Sequence, residues 1–354
     1  MIVKIVFLHF KTICVILIVK LIKRKFPLKL STVNYMRKFI LLLSVLTLFG
    51  CKKSNDVEND ISKIPVEVSI VRFDKQFANT SIDSLGYLKE KFPMFFPKKI
   101  PDSVWIARMQ NPLRQQMADE VLMQFADQAS LAEKLGPLFQ HISYYFPRFR
   151  VPTTVTLIND VDYQNRVIVA SDTLLLLSLD NYLGEDHRYY SNFKRYIVKD
   201  LNPSRISVDI AKAYAQKFVS KPVKNSFLDQ IIYFGKQLYL QKLWLPDSSD
   251  SFVIGYTDKQ WQWAEENQVY MWRYFIEKEL LFSTDPSLTP RFISNAPFSK
   301  FYLELDNESP PMLGRYLGWK IVQSFMENND ITPQQLLVFD AEDLFKKSKF
   351  KPKK

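Results

Sequence analysis

The sequence predicts an α+β fold that is mostly helical, with a small sheet near its beginning. Every stretch with strand character precedes residue 180, and almost everything after it repeats apolar residues at helical spacing. Only eight glycines in 354 residues leave few of the tight turns that an all-β architecture would need.

Residues 1–35 hold basic residues and short apolar clusters. Lys4, Lys11 and Lys20 interrupt every run, and the longest, residues 12–19, is far short of the roughly 20 apolar residues that span a bilayer. This stretch reads as an over-extended start outside the mature protein, its rival being a basic helix on a membrane surface. Residues 36–51 (MRKFILLLSVLTLFGC) have the order of a bacterial lipoprotein signal peptide. Arg37 and Lys38 supply the basic start, residues 39–48 the apolar run, and Leu48, Phe49, Gly50 and Cys51 a lipobox. The Cys51 thiol is the nucleophile that takes a diacylglycerol group, and Gly50 is small enough to allow cleavage beside it. Phe49 is bulkier than the usual residue there. An ordinary secretory signal or an uncleaved anchor is the competing reading, and the apolar run is short for an anchor.

Residues 51–64 are polar and without apolar period, which predicts a flexible tether. A single domain is expected over residues 65–354. It opens with a strand at 66–73, then a helix at 81–92. The proline-punctuated 92–101 (FPMFFPKKIP) reads as a packed loop in preference to a binding lip. Residues 111–146 read as helix, with Leu113, Met117, Val121 and Phe125 four apart. Strands follow at 153–158 and 166–177, paired as a hairpin or as neighbours. Helices are expected at 188–200, 203–219, 226–245, 258–282 and 310–328, and the basic end 346–354 as a frayed tail.

The formal charge of +11 would suggest a nucleic-acid or anionic-lipid partner. Nine of the 48 basic residues and none of the 37 acidic ones fall within residues 1–50, leaving 39 against 37. The mature part is nearly neutral, and no nucleic-acid partner is expected. With Cys51 lipidated and Cys14 in the doubtful extension, cysteine says nothing of redox compartment. Only three histidines occur, His9, His141 and His187, so no HExxH pair exists, nor a GxSxG or Walker motif. The segments around Glu185-Asp186-His187 and Asp247–Asp250 read as solvated turns.

Three helices are more specific. In 203–219, Asp209 and Lys212 are three apart and neighbours on the surface. In 226–245, Gly235 costs about 1 kcal/mol relative to Ala, which predicts a second backbone packed against it. In 310–328, Gly314 and Gly318 sit four apart beside a stripe of Leu313, Leu317, Ile321 and Phe325.

Several ordered phrases carry a resemblance: Ile254-Gly255-Tyr256-Thr257, WQWAEEN at 261–267, Phe282-Ser283-Thr284-Asp285-Pro286, GRYLGWKIV at 314–322, and the ending KSKFKPK at 347–353. Together with the signal, they make the chain from Met36 onward resemble the GldB gliding-motility lipoproteins of the Bacteroidetes. The resemblance implies an envelope lipoprotein needed for gliding and working with the machinery linked to type IX secretion. It also implies a zincin-like, metallopeptidase-like domain without its metal site. Val208 and Lys212 stand in the two histidine places, with Asp209 between them, and Phe234 precedes Gly235 where an acidic ligand would stand.

A pseudo-enzyme is therefore expected, with no catalytic residue, no metal and no cofactor. Lys212 is read either as a cation in the zinc place, paired with Asp209, or as half of a plain surface pair. The expected partners are the membrane, through lipid on Cys51, and other envelope proteins of the gliding machinery. No Asp follows Cys51, so the outer membrane facing the periplasm is the expected location. Two alternatives stay open: an envelope metallohydrolase with unrecognised ligands, and a peptide- or glycan-binding lipoprotein. The latter would use the vacated cleft with Trp261, Trp263 and Trp272, for which core packing is the plainer reading.

Overall fold

The computed structural model describes residues 52–303 and 306–353. Residues 1–35, the signal segment and the lipobox Leu48, Phe49, Gly50 and Cys51 lie outside the described residues. The chain divides into two units, Met1–Lys63 and Ile64–Lys354. In the first, Lys52–Ser62 form helix α1 where a tether without regular structure was expected. No Gly or Pro breaks this run. Its end is tied by Ser62 Oγ donating to the Asn59 carbonyl at 2.9 Å and by Lys63 paired with Asp60 at 2.9 Å.

In the second unit, β1 (Ile70–Arg72), β2 (Thr153–Leu157), β3 (Val167–Val169) and β4 (Leu174–Ser178) form a sheet in the order β1-β2-β4-β3. β2 runs parallel to β1 and β4, and β3 runs antiparallel to β4. The strand expected at 66–73 shrinks to three residues. The strand expected at 166–177 is two strands, because Ser171 Oγ accepts from the Thr173 amide at 3.2 Å and folds the chain back. The hairpin is thus β3–β4, and β2 meets β4 instead of its neighbour in sequence.

Between β1 and β2 run α2 (Phe73–Asn79), α3 (Leu85–Lys91), α4 (Asp102–Gln110), α5 (Pro112–Gln124) and α6 (Gln128–Tyr145). The helical stretch 111–146 breaks after Gln124 because both halves carry their own caps. Asn111 accepts from the Leu113 and Arg114 amides, and Asp127 accepts from that of Ala129. Met117, Val121 and Phe125 are buried, whereas Leu113 is exposed. The 92–101 loop is packed as expected: Phe92 and Phe96 are buried, with the Phe96 ring 4.8 Å from that of Trp105.

After the sheet come α7 (Arg195–Val198), α8 (Ile206–Phe218), α9 (Phe227–Trp244), α10 (Asp250–Ile254), α11 (Asp258–Glu266), α12 (Gln268–Glu277), α13 (Leu313–Asn328), α14 (Pro333–Val338) and α15 (Ala341–Ser348). The expected 188–200 helix is only a turn at Arg188–Tyr190 and the short α7. The expected 258–282 helix splits at Asn267, whose side-chain amide donates to the Trp263 carbonyl at 2.8 Å and competes with the backbone ladder. Among the described residues no helix is long and apolar enough to cross a membrane.

Helix α9 is the spine between two apolar cores. Its Phe227, Leu228 and Ile231 pack with α12 and α13, while Leu240 and Trp244 pack with the sheet, α6 and α8. The close approach predicted at Gly235 is present. A Cβ there would lie 2.3 Å from the Gly318 carbonyl oxygen, and one at Gly318 would lie 1.8 Å from that of Ile231. The two helices therefore touch backbone to backbone.

The tail expected to fray is docked instead. Lys349 takes a left-handed φ of 52°, the Phe350 ring lies 5.3 Å from that of Trp272, and the Lys353 amide donates to Gln268 at 3.1 Å. Trp261, Trp263 and Trp272 are partly buried against the core.

Candidate functional site

Val208, Asp209 and Lys212 on α8 and Phe234 on α9 line one cavity of about 110 Å³. Asn202 starts this part of the chain by accepting from the Ser204 amide at 3.1 Å, and Pro203–Arg205 form a turn that leads into α8. Val208 and Lys212 then fall one turn apart on the same face. On α9, Phe234, Gln237, Leu238 and Gln241 recur at helical spacing along the cavity wall. Because α13 lies so close to α9, its Arg315 reaches over the Phe234 ring at 4.1 Å.

Asp209 is buried, 6% exposed. Arg166, at the start of β3, donates from Nε and Nη2 to its two oxygens, each at 2.7 Å, and the buried Tyr182 hydroxyl donates at 3.0 Å. This is the forked pairing of guanidinium with carboxylate. Burial alone would raise the Asp209 carboxyl, but Arg166 outweighs it and holds the group below the usual carboxylate range. The expected Asp209–Lys212 pair is corrected here, since Arg166 occupies both carboxylate oxygens.

The remaining charges balance unevenly. Arg205 lies 3.4 Å from Asp200 and donates to the Phe252 carbonyl. Neither Lys212 nor Arg315 has a carboxylate within 4 Å among the described residues, and Arg315 Nε is buried without a hydrogen-bond partner. A wider groove of about 330 Å³ adjoins the cavity and shares Arg166, Asp200, Asp209, Lys212 and Asn295 with it. Lys212 is exposed and lines both spaces.

The protein around it, reinforced by Arg315, draws the Lys212 ammonium downward against the pull of Asp209, and water at this exposed side chain tempers the shift. Burial draws Arg315 down to about 10. On the far side of α9, Lys236 is likewise drawn down to about 8 by burial, while donating to the Phe339 carbonyl at 2.7 Å.

Lys236 makes a pH prediction. Buried at 6% exposure, it titrates near 8 in the folded chain and near 10.5 in the unfolded one, while the exposed Lys212 adds less in the same direction. Between those values the unfolded chain binds more protons, so stability is expected to rise with pH from 8 to about 10. Above that range the opposing tyrosines, Tyr182, Tyr256 and Tyr316, stay protonated only in the folded state. Melting curves at half-unit steps test this, and a flat or falling midpoint between pH 8 and 10 contradicts it.

The cavity wall does not fit zinc. Zinc is held by imidazole nitrogen, thiolate or carboxylate oxygen. Val208 and Phe234 offer no donor, Lys212 offers an ammonium, and both Asp209 oxygens are engaged by Arg166. Among the described residues no group of three or more His, Cys, Asp or Glu is arranged for a metal. His187 and Arg188 bond Glu120 on α5 and line neither space.

Arg166, Arg205, Arg315 and Asp200 were not anticipated. No spacing rule marks an arginine 43 residues from its carboxylate. Arg315 stands inside the GRYLGWKIV phrase, where Gly314 and Gly318 read only as packing. An arginine directly after one of the two buried glycines was the available signal.

The model for the family described as gliding motility protein GldB matches residues 54–352. No curated protein and no solved structure matches the chain. A match over that length shows that the chain belongs to the GldB gliding motility family.

Proposed function

We propose that this chain is a lipid-anchored, non-catalytic support for the gliding machinery, acting in the envelope through contacts with other proteins of the type IX secretion-linked apparatus. Family membership ties it to gliding motility. The non-catalytic reading is supported by the wall of the cavity, where a locked carboxylate and two unbalanced cations stand in place of metal ligands or a free acid–base pair. The domain is read as zincin-like in descent, with Val208, Lys212 and Phe234 at the vacated ligand positions. The lipid on Cys51 would hold the protein to the outer membrane, facing the periplasm.

Single-cell tracking on glass tests this. Deletion of the gene is expected to abolish gliding and the wild-type gene to restore it, whereas Cys51→Ala, accumulating to the same level, is expected to restore less than a tenth of the speed. A deletion strain as motile as its parent overturns the gliding role, and full rescue by Cys51→Ala overturns the lipid requirement. Stoichiometric zinc retained by the purified protein through dialysis overturns the non-catalytic reading.

A further inference from the structure

We infer that the cavity between α8, α9 and α13 binds a small oxyanion, a phosphate or carboxylate group, between Lys212 and Arg315. The inference goes beyond the support role and does not depend on it. Four cationic side chains line this space against two carboxylates. Each carboxylate has its own cation: Asp209 is held by the Arg166 fork, and Asp200 lies 3.4 Å from Arg205. Lys212 and Arg315 are left over. Two like charges without a counter-charge, one of them on a half-buried guanidinium, are unfavourable unless an anion joins them.

The geometry suits an anion of modest size. Arg315 is steadied by its stack on Phe234, and its buried Nε has no hydrogen-bond partner. A guanidinium presents paired donors that match the two oxygens of a carboxylate or phosphate, and an ammonium adds a point charge beside it. The space of about 110 Å³ takes such a head group, and the adjoining groove of about 330 Å³ can hold the rest of a larger ligand. Lys212 lines both spaces, so its ammonium is within reach of a ligand that extends from one into the other.

The test is calorimetric titration of the full-length lipoprotein in neutral detergent at pH 7, at constant ionic strength, with inorganic phosphate and separately with acetate. Saturable binding at one site is expected for at least one of them. Lys212→Met and Arg315→Met should each weaken it at least tenfold, while Lys224→Met, on the surface outside the cavity, should leave it unchanged. Tighter phosphate binding assigns the site to a phosphate group, and tighter acetate binding to a carboxylate. Melting curves in anion-poor buffer keep the variants interpretable: loss of one unbalanced cation should hold or raise the midpoint of the empty protein. No saturable binding of either anion to the wild type, or binding kept within twofold in both cavity variants, overturns the inference.

Discussion

Gly318→Ala is expected to cost about 3 kcal/mol of folding stability or more, at the upper end of what overpacking a core produces. The added methyl would sit 1.8 Å from the Ile231 carbonyl oxygen, and that obstacle is helix backbone, which cannot rotate away. The helices α9 and α13 would have to separate along the whole of their contact. Phe292, Phe325 and Trp319, all fully buried, would lose packing in consequence. Gly235→Ala meets the Gly318 oxygen at 2.3 Å and should behave alike. Gly86→Ala is the control, because an added Cβ on α3 meets nothing within 4 Å. There, the better helix propensity of Ala should gain roughly 0.4–1 kcal/mol. Urea unfolding of the three variants measures this, and a loss below about 1 kcal/mol at Gly318 would mean that the two backbones are not apposed as described.

That contact also shows which features were legible before the structure. A glycine inside a strong helix is costly, so Gly235 pointed to a neighbour that only a bare backbone could accommodate. The i, i+4 relation of Val208 and Lys212 follows from helix geometry, whereas Phe234 lines the same cavity through the packing of α9 beside α8. Features set by local competition were less legible. The strand at 166–177 looked continuous because Leu and Val dominate it, and what breaks it is one hydrogen bond from the Thr173 amide to the Ser171 hydroxyl. The polar stretch after Cys51 lacked an apolar stripe, yet it is helical: nothing in it breaks a helix, and its one isoleucine, Ile61, is buried. The basic tail looked solvated because its lysines dominate the composition, whereas the Phe350 ring on Trp272 and the Lys353 amide on Gln268 hold it down. Charge partners far apart in sequence were illegible altogether. Nothing in the residues around Arg166 says that its guanidinium closes on Asp209 across the cavity.

Asp209→Ala is expected to destabilise the protein by about 3–5 kcal/mol, the usual consequence of removing one partner of a buried ion pair. Arg166, 14% exposed in its side chain, would be left without its carboxylate, and the fully buried Tyr182 hydroxyl without an acceptor. The wall would then carry three unbalanced cations in place of two. Adding Arg166→Met to Asp209→Asn should recover much of the loss, because the charge is gone and an oxygen remains for Tyr182. If the double variant is no more stable than Asp209→Ala, the loss does not come from the stranded charge. Acid supplies a second reading of the same pair. A carboxyl held below its ordinary value contributes stability that is present above the unfolded pKa and is lost as pH falls through the folded one. Wild-type stability should therefore drop more steeply below pH 4 than that of Asp209→Asn. Both outcomes bear on function as well as on folding. A carboxylate held this firmly in its ionised form has no proton to give near neutral pH, and with both oxygens engaged it is poorly placed to take one. The stability of the pair is thus the physical reason that Asp209 serves the cavity as a fixed counter-charge to Arg166, leaving Lys212 and Arg315 as the groups free to meet a ligand.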